Sequence, residues 1–523
     1  MVLLSKIMKR GDDMRLAVTN EQMKRAEVNA DANGVPFLQL MKNAGEACFN
    51  RINTLAGGVK DKNVVVLAGR GNNGGDGIVI TDLLLEAGAN AILIFALDLP
   101  KSDCARLCYS IYETGLNMSL YAHQKDNVKR VLENCEIVVD CVFGTGFHGE
   151  LEESLADLFK FVNENCNALK FSVDVPSGCN SETGEIAENA FKPDFTITLG
   201  AVKKGLYSHP CFEHCGLLLL ADIGIEQSCY EGCEAILSDE ILREFMPKRK
   251  AVSHKGTYGR VLNIAGSGRY TGASLLSTDA ILKMGAGLTT LATPTRVINA
   301  IATAVPETTY LPLSCDNDGF INEKGVDELK SFLLDNKFSA IAVGCGLGKS
   351  RVVRELVEYL IKNADCPLII DADGLNSIAE NIDILKENKN GVIVTPHPAE
   401  FGRMTGKSVD EIQSDRITLA KEFAKNYKVI TVLKGVNTVI ANPTGETFIN
   451  TTGNAGLSKG GSGDVLTGII TSLIAQGTDL FYGTALGVYL HGQSADRLSK
   501  KKNLFGIMPR DLMDEIVKLT ADE

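Results

Sequence analysis

Short apolar runs alternate with longer amphipathic stretches along most of the chain. In the first half, the apolar runs predict strands at residues 64–68, 91–96, 137–142, 171–175 and 195–199. A capping box at Thr19–Gln22 opens one predicted helix, and the other helices are predicted at 36–51, 76–87, 102–114, 127–134 and 151–165. Continuous apolar strands separated by helices are typical of a parallel sheet that is covered on both faces.

The alternation lapses at residues 226–250, a charged stretch that contains Pro247, and then resumes. Strands are predicted at 261–264, 288–292, 340–343, 368–370, 392–395, 429–433 and 438–441, and helices at 271–284, 352–362, 409–426, 464–476 and 484–499. A chain of 523 residues exceeds what one hydrophobic core usually serves. The sequence therefore predicts an α/β protein with two parallel-sheet domains, residues 1–230 and residues 236–523.

Composition and charge narrow the classes of function. The net charge of -12, without a long run of Lys or Arg, disfavours nucleic acid as a partner. No apolar stretch is long enough for a membrane span, and Lys6, Lys9 and Arg10 interrupt what would be the apolar region of a signal peptide. The 14 cysteines are scattered without a CxxC pair, which favours reduced thiols and a cytoplasmic location.

The glycine-rich segment Gly460–Asp464 immediately precedes a predicted helix near the C-terminus. Backbone N–H groups at such a position can hold phosphate, and the helix dipole adds to the attraction. A carboxylate in that place repels phosphate, so its presence indicates that the chemistry needs a carboxylate there. Asp464 is therefore interpreted as a base beside the terminal phosphate of a nucleotide, placed to take a proton from a hydroxyl.

Other segments of the second domain offer groups that complement this loop. Lys434–Thr438, at a strand end, offers a cation and amides for phosphates, although a hairpin turn with an exposed lysine is the simpler alternative. Gly344–Gly348 permits close backbone approach to a ligand, but a plain loop is equally compatible. Asp371–Asn376 and Thr395–Glu400 add carboxylates and His397 for a magnesium and substrate pocket, with helix capping as the alternative for Asp373 and His397.

In this order the segments resemble the NAD(P)H-hydrate dehydratases of the ribokinase-like superfamily, over about residues 236–520. The match includes His254–Gly259, Ala265–Ser267, Tyr270–Ala273, Gly285–Leu288, Thr395–Phe401 and Asn454–Asp464. The resemblance implies a ribokinase-like fold and a reaction in which a nucleotide phosphorylates a hydroxyl of the hydrated nicotinamide ring before phosphate leaves. It implies that Asp464 is the base, that Mg²⁺ accompanies the nucleotide, that Lys434, Gly435, Val436, Asn437, Thr438 and Gly463 bind the nucleotide, and that Ala273, Gly346, His397 and Asp464 contact the substrate.

Three predicted strand ends in the first domain pass into polar glycine loops, Asn72–Gly77, Asp140–Gly146 and Asp174–Gly178. Parallel sheets bind ligands at the carboxyl ends of their strands. Oxygens of Asn73, Asp140 and Ser177 would suit a hard or monovalent cation, and Asp174 could act as an acid or base. Helix caps and tight turns are the alternative explanation for all three loops.

This second set resembles the NAD(P)H-hydrate epimerases, over about residues 15–222, and includes Leu40–Gly45 and Asp194–Gly200 with Lys203–Leu206. The resemblance implies a Rossmann-like, three-layer fold and catalysis by Asp174 next to the reacting carbon. It implies K⁺ at Asn73, Asp140 and Ser177, and substrate contacts from Asn72, Asn73, Gly74, Gly75, Asp76, Gly144, Thr145, Gly146, Phe147, His148, Gly149, Glu150 and Asp174.

Together, the two resemblances imply a bifunctional repair enzyme that interconverts the R and S hydrates of NADH and NADPH and dehydrates the S form. The fused architecture is typical of prokaryotic members and implies ADP as the donor, with ATP as the alternative. Both families commonly self-associate, which implies a homo-oligomer. The alternatives are a kinase of a small vitamin alcohol, which would share the loop at Asp464, and a non-catalytic scaffold, which would tolerate loss of Asp174 or Asp464.

Overall fold

The computed structural model describes residues 15–113 and 119–521. Residue 114, the last of the helix predicted at 102–114, and the outer ends of the two predicted domains lie outside these ranges. The chain divides into two compact units, one ending at Glu234 and the other beginning at Ala235. No helix in the described ranges is long and apolar enough to cross a membrane. The 14 cysteines are free thiols, and most of them are buried.

The described part of the first unit is built on a parallel sheet in the order β4-β3-β2-β5-β6-β7-β9. Its strands are β2 (Asn63–Ala68), β3 (Asn90–Phe95), β4 (Ser119–Tyr121), β5 (Ile137–Cys141), β6 (Leu169–Val173), β7 (Phe195–Leu199) and β9 (Leu217–Ala221), and β1 (Leu16–Val18) pairs separately with β8 (Val202–Lys203). The helices are α1 (Asn20–Ala32), α2 (Phe37–Leu55), α3 (Asn72–Glu86), α4 (Asp103–Tyr112), α5 (Lys125–Glu133), α6 (Glu153–Asn165) and α7 (Cys211–His214), with 3-10 turns at Lys204–Tyr207 and Gln227–Cys229.

Strand β2 determines where ligands can enter this sheet. It is buried on both faces apart from its first residue, as expected for a run of Val, Leu and Ala in the middle of a parallel sheet. It pairs with β3 on one side and with β5 on the other, so the chain reverses its direction of progress across the sheet here. Such a switch point leaves a crevice at the carboxyl ends of the strands.

Helix α3 begins at Asn72, four residues before the predicted start at Asp76. The prediction of a glycine loop before the helix is wrong, because Asn72–Gly75 forms the first turn of the helix itself. A Cβ atom on Gly74 would lie 1.9 Å from the carbonyl oxygen of Gly69, so a residue with a side chain could not take this place.

The second unit has parallel strands in the order β13-β12-β11-β14-β15-β16-β17, followed by antiparallel β18 and β19, with β10 parallel to β19. These strands are β10 (Glu234–Ile236), β11 (Arg260–Ile264), β12 (Leu288–Pro294), β13 (Thr309–Leu313), β14 (Ala340–Val343), β15 (Leu368–Ile370), β16 (Val392–Val394), β17 (Ile430–Leu433), β18 (Thr438–Ala441) and β19 (Thr447–Asn450). The α/β fold class with parallel sheets is confirmed for both units.

The helices of the second unit cover this sheet and are α8 (Glu240–Phe245), α9 (Thr271–Lys283), α10 (Thr295–Ile301), α11 (Glu323–Asp335), α12 (Arg351–Asn363), α13 (Asp373–Ile378), α14 (Pro398–Thr405), α15 (Val409–Ser414), α16 (Arg416–Tyr427), α17 (Ser462–Ala475), α18 (Leu480–Ser499) and α19 (Pro509–Ala521). Further 3-10 turns occur at Lys255–Tyr258, Ala379–Glu387, Ala455–Leu457 and Leu504–Gly506. The single helix predicted at 409–426 is wrong, since Asp415 separates α15 from α16 and its carboxylate accepts from the Thr418 amide.

Candidate active sites

A cavity of about 500 Å³ opens at the carboxyl ends of β2, β5 and β6 in the first unit. Its wall comes from the segments that follow these strands, together with side chains of α1 and α2. The polar groups on the wall are Glu27, Arg70, Asn72, Asn73, Asp76, Ser102, Thr145, Asp174 and Lys203. Polar loops from separate strands thus meet around one space, as the sequence predicts for the crevice of a parallel sheet.

Asp174 is fixed in this cavity by its backbone and by a buried ion pair. Its φ of 68° is unusual for a residue other than glycine, and its amide donates to the Ile197 carbonyl at 2.7 Å. The carboxylate accepts from the Leu199 amide at 3.3 Å and pairs with the ammonium group of Lys203. Lys203 is only 1% exposed and also donates to the Leu199 carbonyl at 2.7 Å. The pair is therefore rigidly oriented toward the cavity.

Two further carboxyl groups face the same space. Burial raises the pKa of Asp76 well above its ordinary value, and the charges of Asp174 and Glu27 raise it further. Burial also raises the pKa of Glu27, with Lys203 acting in the opposite direction. In the described residues, the carboxyl group of Asp76 has no hydrogen-bond partner although the residue is only 6% exposed. A ligand hydroxyl or amide in the cavity could satisfy it.

The predicted cation ligands Asn73 and Ser177 are linked through Phe143, whose carbonyl accepts from Asn73 and whose amide donates to the Ser177 hydroxyl. The side-chain amide of Asn73 donates to the carbonyls of Phe143 at 2.8 Å and Val173 at 3.1 Å, while its own oxygen is buried without a partner. Ser177 donates its hydroxyl to Asp140 at 2.6 Å. An unpartnered buried amide oxygen is a group that a monovalent cation could satisfy.

Asp140 is bound more completely than a free metal ligand would be. Its carboxylate accepts from the hydroxyls of Ser172 and Ser177 and from the amides of Val142 and Ser177, at 2.6–3.1 Å. Burial raises the pKa of Asp140 to about 6, and these hydrogen bonds limit the rise. These four hydrogen bonds use all the lone-pair positions of the carboxylate. Asp140 would therefore attract a cation by its negative charge rather than by direct coordination.

The other predicted substrate contacts of the first unit divide into two groups. Asn72, Asn73, Asp76 and Gly144–Gly146 line the cavity together with Asp174, whereas Gly74, Gly75 and Phe147–Glu150 do not. Gly74 and Gly75 pack within the first turn of α3, against Gly69 and Met41. Phe147 is buried against Phe143 with ring centroids 5.1 Å apart, and His148–Glu150 are exposed.

In the second unit, Asp464 lies in the first turn of α17, two residues after the helix begins. Burial raises the pKa of Asp464 to about 6, the charge of Asp371 adds to the rise, and a hydrogen bond with Cys345 opposes it. A Cβ atom on Gly463 would lie 3.5 Å from Nζ of Lys434 and 3.6 Å from a carboxylate oxygen of Asp371. The segments Gly460–Asp464, Lys434–Thr438 and Asp371–Asn376 therefore meet at one point.

A buried polar network holds this meeting point together. Asp371, 1% exposed, accepts from Lys434 at 2.8 Å and from the Thr467 hydroxyl at 2.8 Å. A second carboxylate, Glu400, lies 3.9 Å from the same ammonium group. Burial alone would lower the pKa of Lys434, but Asp371 and Glu400 outweigh it and the pKa is raised. Lys434 therefore remains charged.

The predicted substrate residues of the second unit differ in their surroundings. A Cβ atom on Gly346, whose φ is 66°, would lie 2.8 Å from Cβ of Ala273, so these two positions are neighbours. His397 caps α14 by accepting through Nδ1 from the amides of Ala399 and Glu400, and its side chain is 48% exposed. The capping role that the sequence left open for His397 is thus present, while the ring remains accessible to a ligand.

The described carboxylates do not form a complete metal-binding site by themselves. No group of three or more His, Cys, Asp or Glu side chains in residues 15–113 and 119–521 is arranged to hold a metal ion. Asp373, which the sequence offered as a magnesium ligand or a helix cap, accepts from the Gly348 amide at 2.8 Å. Mg²⁺ commonly keeps several waters and binds through one or two carboxylates and substrate phosphates, so a nucleotide would have to complete such a site.

Comparison with known proteins places both halves in one family. The model of NAD(P)H-hydrate dehydratases matches residues 261–518, and that of the YjeF-related protein N-terminus matches residues 38–205. The bifunctional NAD(P)H-hydrate repair enzyme Nnr of Moorella thermoacetica is 35% identical over 92% of this chain and 92% of its own length. The Escherichia coli protein of the same name is 32% identical over 96% and 93%, respectively.

The chain belongs to the bifunctional NAD(P)H-hydrate repair enzymes. Among solved structures, the ADP/ATP-dependent NAD(P)H-hydrate dehydratase of Bacillus subtilis is 36% identical, covers 55% of this chain and 97% of its own, and has a TM-score of 0.49. The family and the two activities implied by the resemblances, epimerase and dehydratase, are confirmed. Membership of this family decides against the two alternatives, a kinase of a small vitamin alcohol and a non-catalytic scaffold.

Sequence reasoning missed several groups that this repair enzyme brings into its two sites. In the cavity of the first unit these are Glu27, Arg70 and Lys203, and in the network around Lys434 they include Thr467 and Arg416. Lys203 lies in a segment that matches the epimerases, but its partner Asp174 is 29 residues away. Only the buried ion pair reveals that connection.

Proposed function

We propose that residues 1–230 carry the epimerase activity and residues 236–523 the dehydratase activity. Each family model matches residues within only one of the two compact units. The epimerase would interconvert the R and S hydrates of NADH and NADPH, and the dehydratase would consume the S form. Both substrates are small molecules, and we further propose a cytoplasmic homo-oligomer that requires neither nucleic acid nor membrane.

The observation that carries the dehydratase assignment is the position of Asp464 in the first turn of α17, next to Gly463 and Lys434. Backbone N–H groups at a helix start attract phosphate. A carboxyl group with a pKa of about 6 is ionised at neutral pH, yet it can accept and release a proton there. Asp464 would take the proton of the ring hydroxyl while that oxygen attacks the terminal phosphorus of the nucleotide.

The phosphorylated ring would then lose phosphate from one carbon and a proton from the neighbouring carbon, which restores the ring double bond; phosphate is a far better leaving group than hydroxide. The nucleotide would lie on Gly463 and on the turn Lys434–Thr438, and the hydrated ring would contact Ala273, Gly346 and His397 beside Asp464. Lys434, held by Asp371, would neutralise part of the charge that develops on the transferred group. Bound Mg²⁺ would supply further neutralisation of the phosphates.

We propose ADP as the donor, in keeping with the fused, prokaryotic type of architecture, so that the products are AMP and phosphate. Purified enzyme would be given hydrated NADH with ADP or with ATP, and the dihydropyridine absorbance would be followed. A larger kcat/KM for ADP is expected. A larger value for ATP would overturn the choice of donor, and recovery without any nucleotide would overturn the proposed reaction.

For the epimerase, Asp174 would act as an acid or base next to the reacting carbon, while Lys203 keeps the Asp174 carboxylate oriented. Substrate would lie along Asn72–Asp76 and Gly144–Glu150, of which Asn72, Asn73, Asp76 and Gly144–Gly146 line the cavity. The unpartnered oxygen of Asn73 supports K⁺ at the site formed with Asp140 and Ser177. We expect Asp174→Asn to abolish interconversion of the separated R and S hydrates. Full activity in that variant would refute the assignment.

A further inference from the structure

Arg416 is a buried cation directly beneath the turn Lys434–Thr438. It is the first residue of α16 and only 8% exposed. One terminal nitrogen, Nη1, donates to the Val436 carbonyl at 2.6 Å, and the other, Nη2, donates to the Leu433 carbonyl at 2.6 Å. Because Leu433 precedes the turn and Val436 lies within it, one guanidinium group fixes both sides of the bend.

The turn is shaped to fit over this guanidinium group. Gly435 has a φ of 145°, and a Cβ atom built on it would lie 2.5 Å from Nη1 of Arg416. Glycine is thus required here both by backbone conformation and by the close approach of Arg416. In the described residues, the amides of Gly435 and Val436 have no hydrogen-bond acceptor. The turn therefore presents unused donors, as an anion-binding site does.

The charge of Arg416 is not balanced within the described protein. No carboxylate pairs with it, its Nε atom is buried without a partner, and burial lowers its pKa to about 10. By contrast, Lys434 in the same turn is already paired with Asp371 and lies near Glu400. A buried charge is costly unless it is paired. Binding the two carbonyl groups does not explain the charge of Arg416, because a neutral donor would suffice for that. The missing negative partner points to a ligand above the turn.

We infer that Arg416 is a positioning residue for the nucleotide: it holds the turn Lys434–Thr438 in its binding shape and provides the positive charge that the phosphates balance. The inference rests on the proposed function, in which this turn holds the nucleotide. Arg416 acts through the turn and through its field, since its guanidinium group is buried under the loop and need not touch phosphate. The charge effect should be substantial because the site is shielded from water.

The test compares Arg416→Lys and Arg416→Gln with wild type in the full-length enzyme. Nucleotide and hydrated NADH are titrated separately, each with the other saturating, while NADH recovery is followed. We expect Arg416→Gln to raise the nucleotide KM roughly ten- to hundredfold, the range for losing hydrogen bonds to a charged group. The lysine variant keeps the charge and should show a smaller rise. The KM for hydrated NADH should stay within about twofold in both variants, because the substitutions weaken the binding of nucleotide and not the binding of hydrated NADH.

Arg354→Gln is the matched control, because Arg354 also donates to a backbone carbonyl, that of Ser377 at 3.0 Å, but pairs with Glu380 outside the turn. It should leave both KM values unchanged. Equal rises in the two KM values, or no rise in the nucleotide KM, would overturn the inference. Failure of even Arg416→Lys to fold, judged by circular dichroism, would also overturn it, because Arg416 would then serve stability.

Asp464→Asn, assayed in parallel, separates this inference from the proposed function. If Asp464→Asn abolishes dehydration while both Arg416 variants keep the wild-type nucleotide KM, only the inference fails. If wild-type dehydration proves independent of nucleotide, the proposed function fails and takes the inference with it.

Discussion

Replacing Asp464 by asparagine should destroy dehydration and, at the same time, stabilise the nucleotide-free second unit. The carboxyl group is held where burial and the charge of Asp371 disfavour its ionised form. Asparagine has nearly the same shape and no charge, so it removes the penalty while keeping the packing. Sites that bind charged ligands often trade stability for function in this way.

The size of the effect follows from the pKa. A pKa of about 6 in the folded protein, against 3.8 ordinarily, means that ionised Asp464 lowers the free energy of unfolding by about 3 kcal/mol. Above pH 7 both folded and unfolded states are ionised and the full penalty applies. As the pH falls below about 6 the folded state binds the proton first, and below 3.8 the penalty is gone. The advantage of Asp464→Asn should therefore shrink steadily between these two values.

Urea unfolding of the full-length proteins, followed by circular dichroism at several pH values, measures this difference. Under the proposed function, added nucleotide should shift the transition of the second unit to higher urea, which identifies that transition. Asp318→Asn makes the same chemical change on an exposed loop and should leave the transition in place. A variant no more stable than wild type at pH 7.5, or an advantage that persists undiminished near pH 4, would refute the reasoning.

Other substitutions test separate contacts. Lys203→Met should abolish R/S interconversion and cost about 3–5 kcal/mol of unfolding free energy, the usual result of leaving one charge of a buried pair alone; wild-type interconversion rates would contradict this. Thr467→Val removes the hydroxyl that donates to Asp371 at 2.8 Å and should lower the unfolding free energy by about 1–3 kcal/mol, with slower dehydration; an unchanged urea midpoint would count against it. Exchanging K⁺ for Li⁺ should slow epimerisation in wild type but not in Asn73→Ala, measured with separated hydrates; equal cation dependence in both proteins would exclude Asn73 as a ligand.

The sequence was most informative where buried strands and glycine loops carry the signal. Runs such as Val64–Ala68 are buried on both faces, so their composition alone predicts a central parallel strand. Because the loops after parallel strands lie at one edge of a sheet, the order of the motifs is enough to group Asn73, Asp140 and Asp174 in one region. The same reasoning applies to Asp371 and Lys434, which directly follow β15 and β17, whereas Asp464 was located by the glycine-rich segment at the start of a helix.

Short elements and turn geometry were beyond prediction. Strand β8 has two residues and β1 has three, too few for a periodic pattern. Asp415, which separates α15 from α16, interrupts a run that reads as one helix, and so the placement of Arg416 at a helix start could not be foreseen. The first turn of α3 contains Gly74 and Gly75, whose composition favours a loop.

Contacts between distant residues account for the rest of what was missed. The residue types predicted oxygen ligands at Asp140, but not that its lone pairs are already used by Ser172, Ser177 and Val142. Likewise, the ion pair between Asp174 and Lys203 depends on how β7 and β8 follow each other, which spacing alone does not determine. Sequence indicates the chemistry available at a site, whereas packing decides which groups remain free.

The most direct test of the two-site account is a stereochemically resolved time course. Wild type, Asp174→Asn and Asp464→Asn would each receive an equal mixture of R- and S-hydrated NADH with ADP. We predict that wild type converts both forms to NADH, that Asp174→Asn consumes the S form and leaves the R form, and that Asp464→Asn interconverts the forms without producing NADH. NADH production by Asp464→Asn at the wild-type rate would contradict the account.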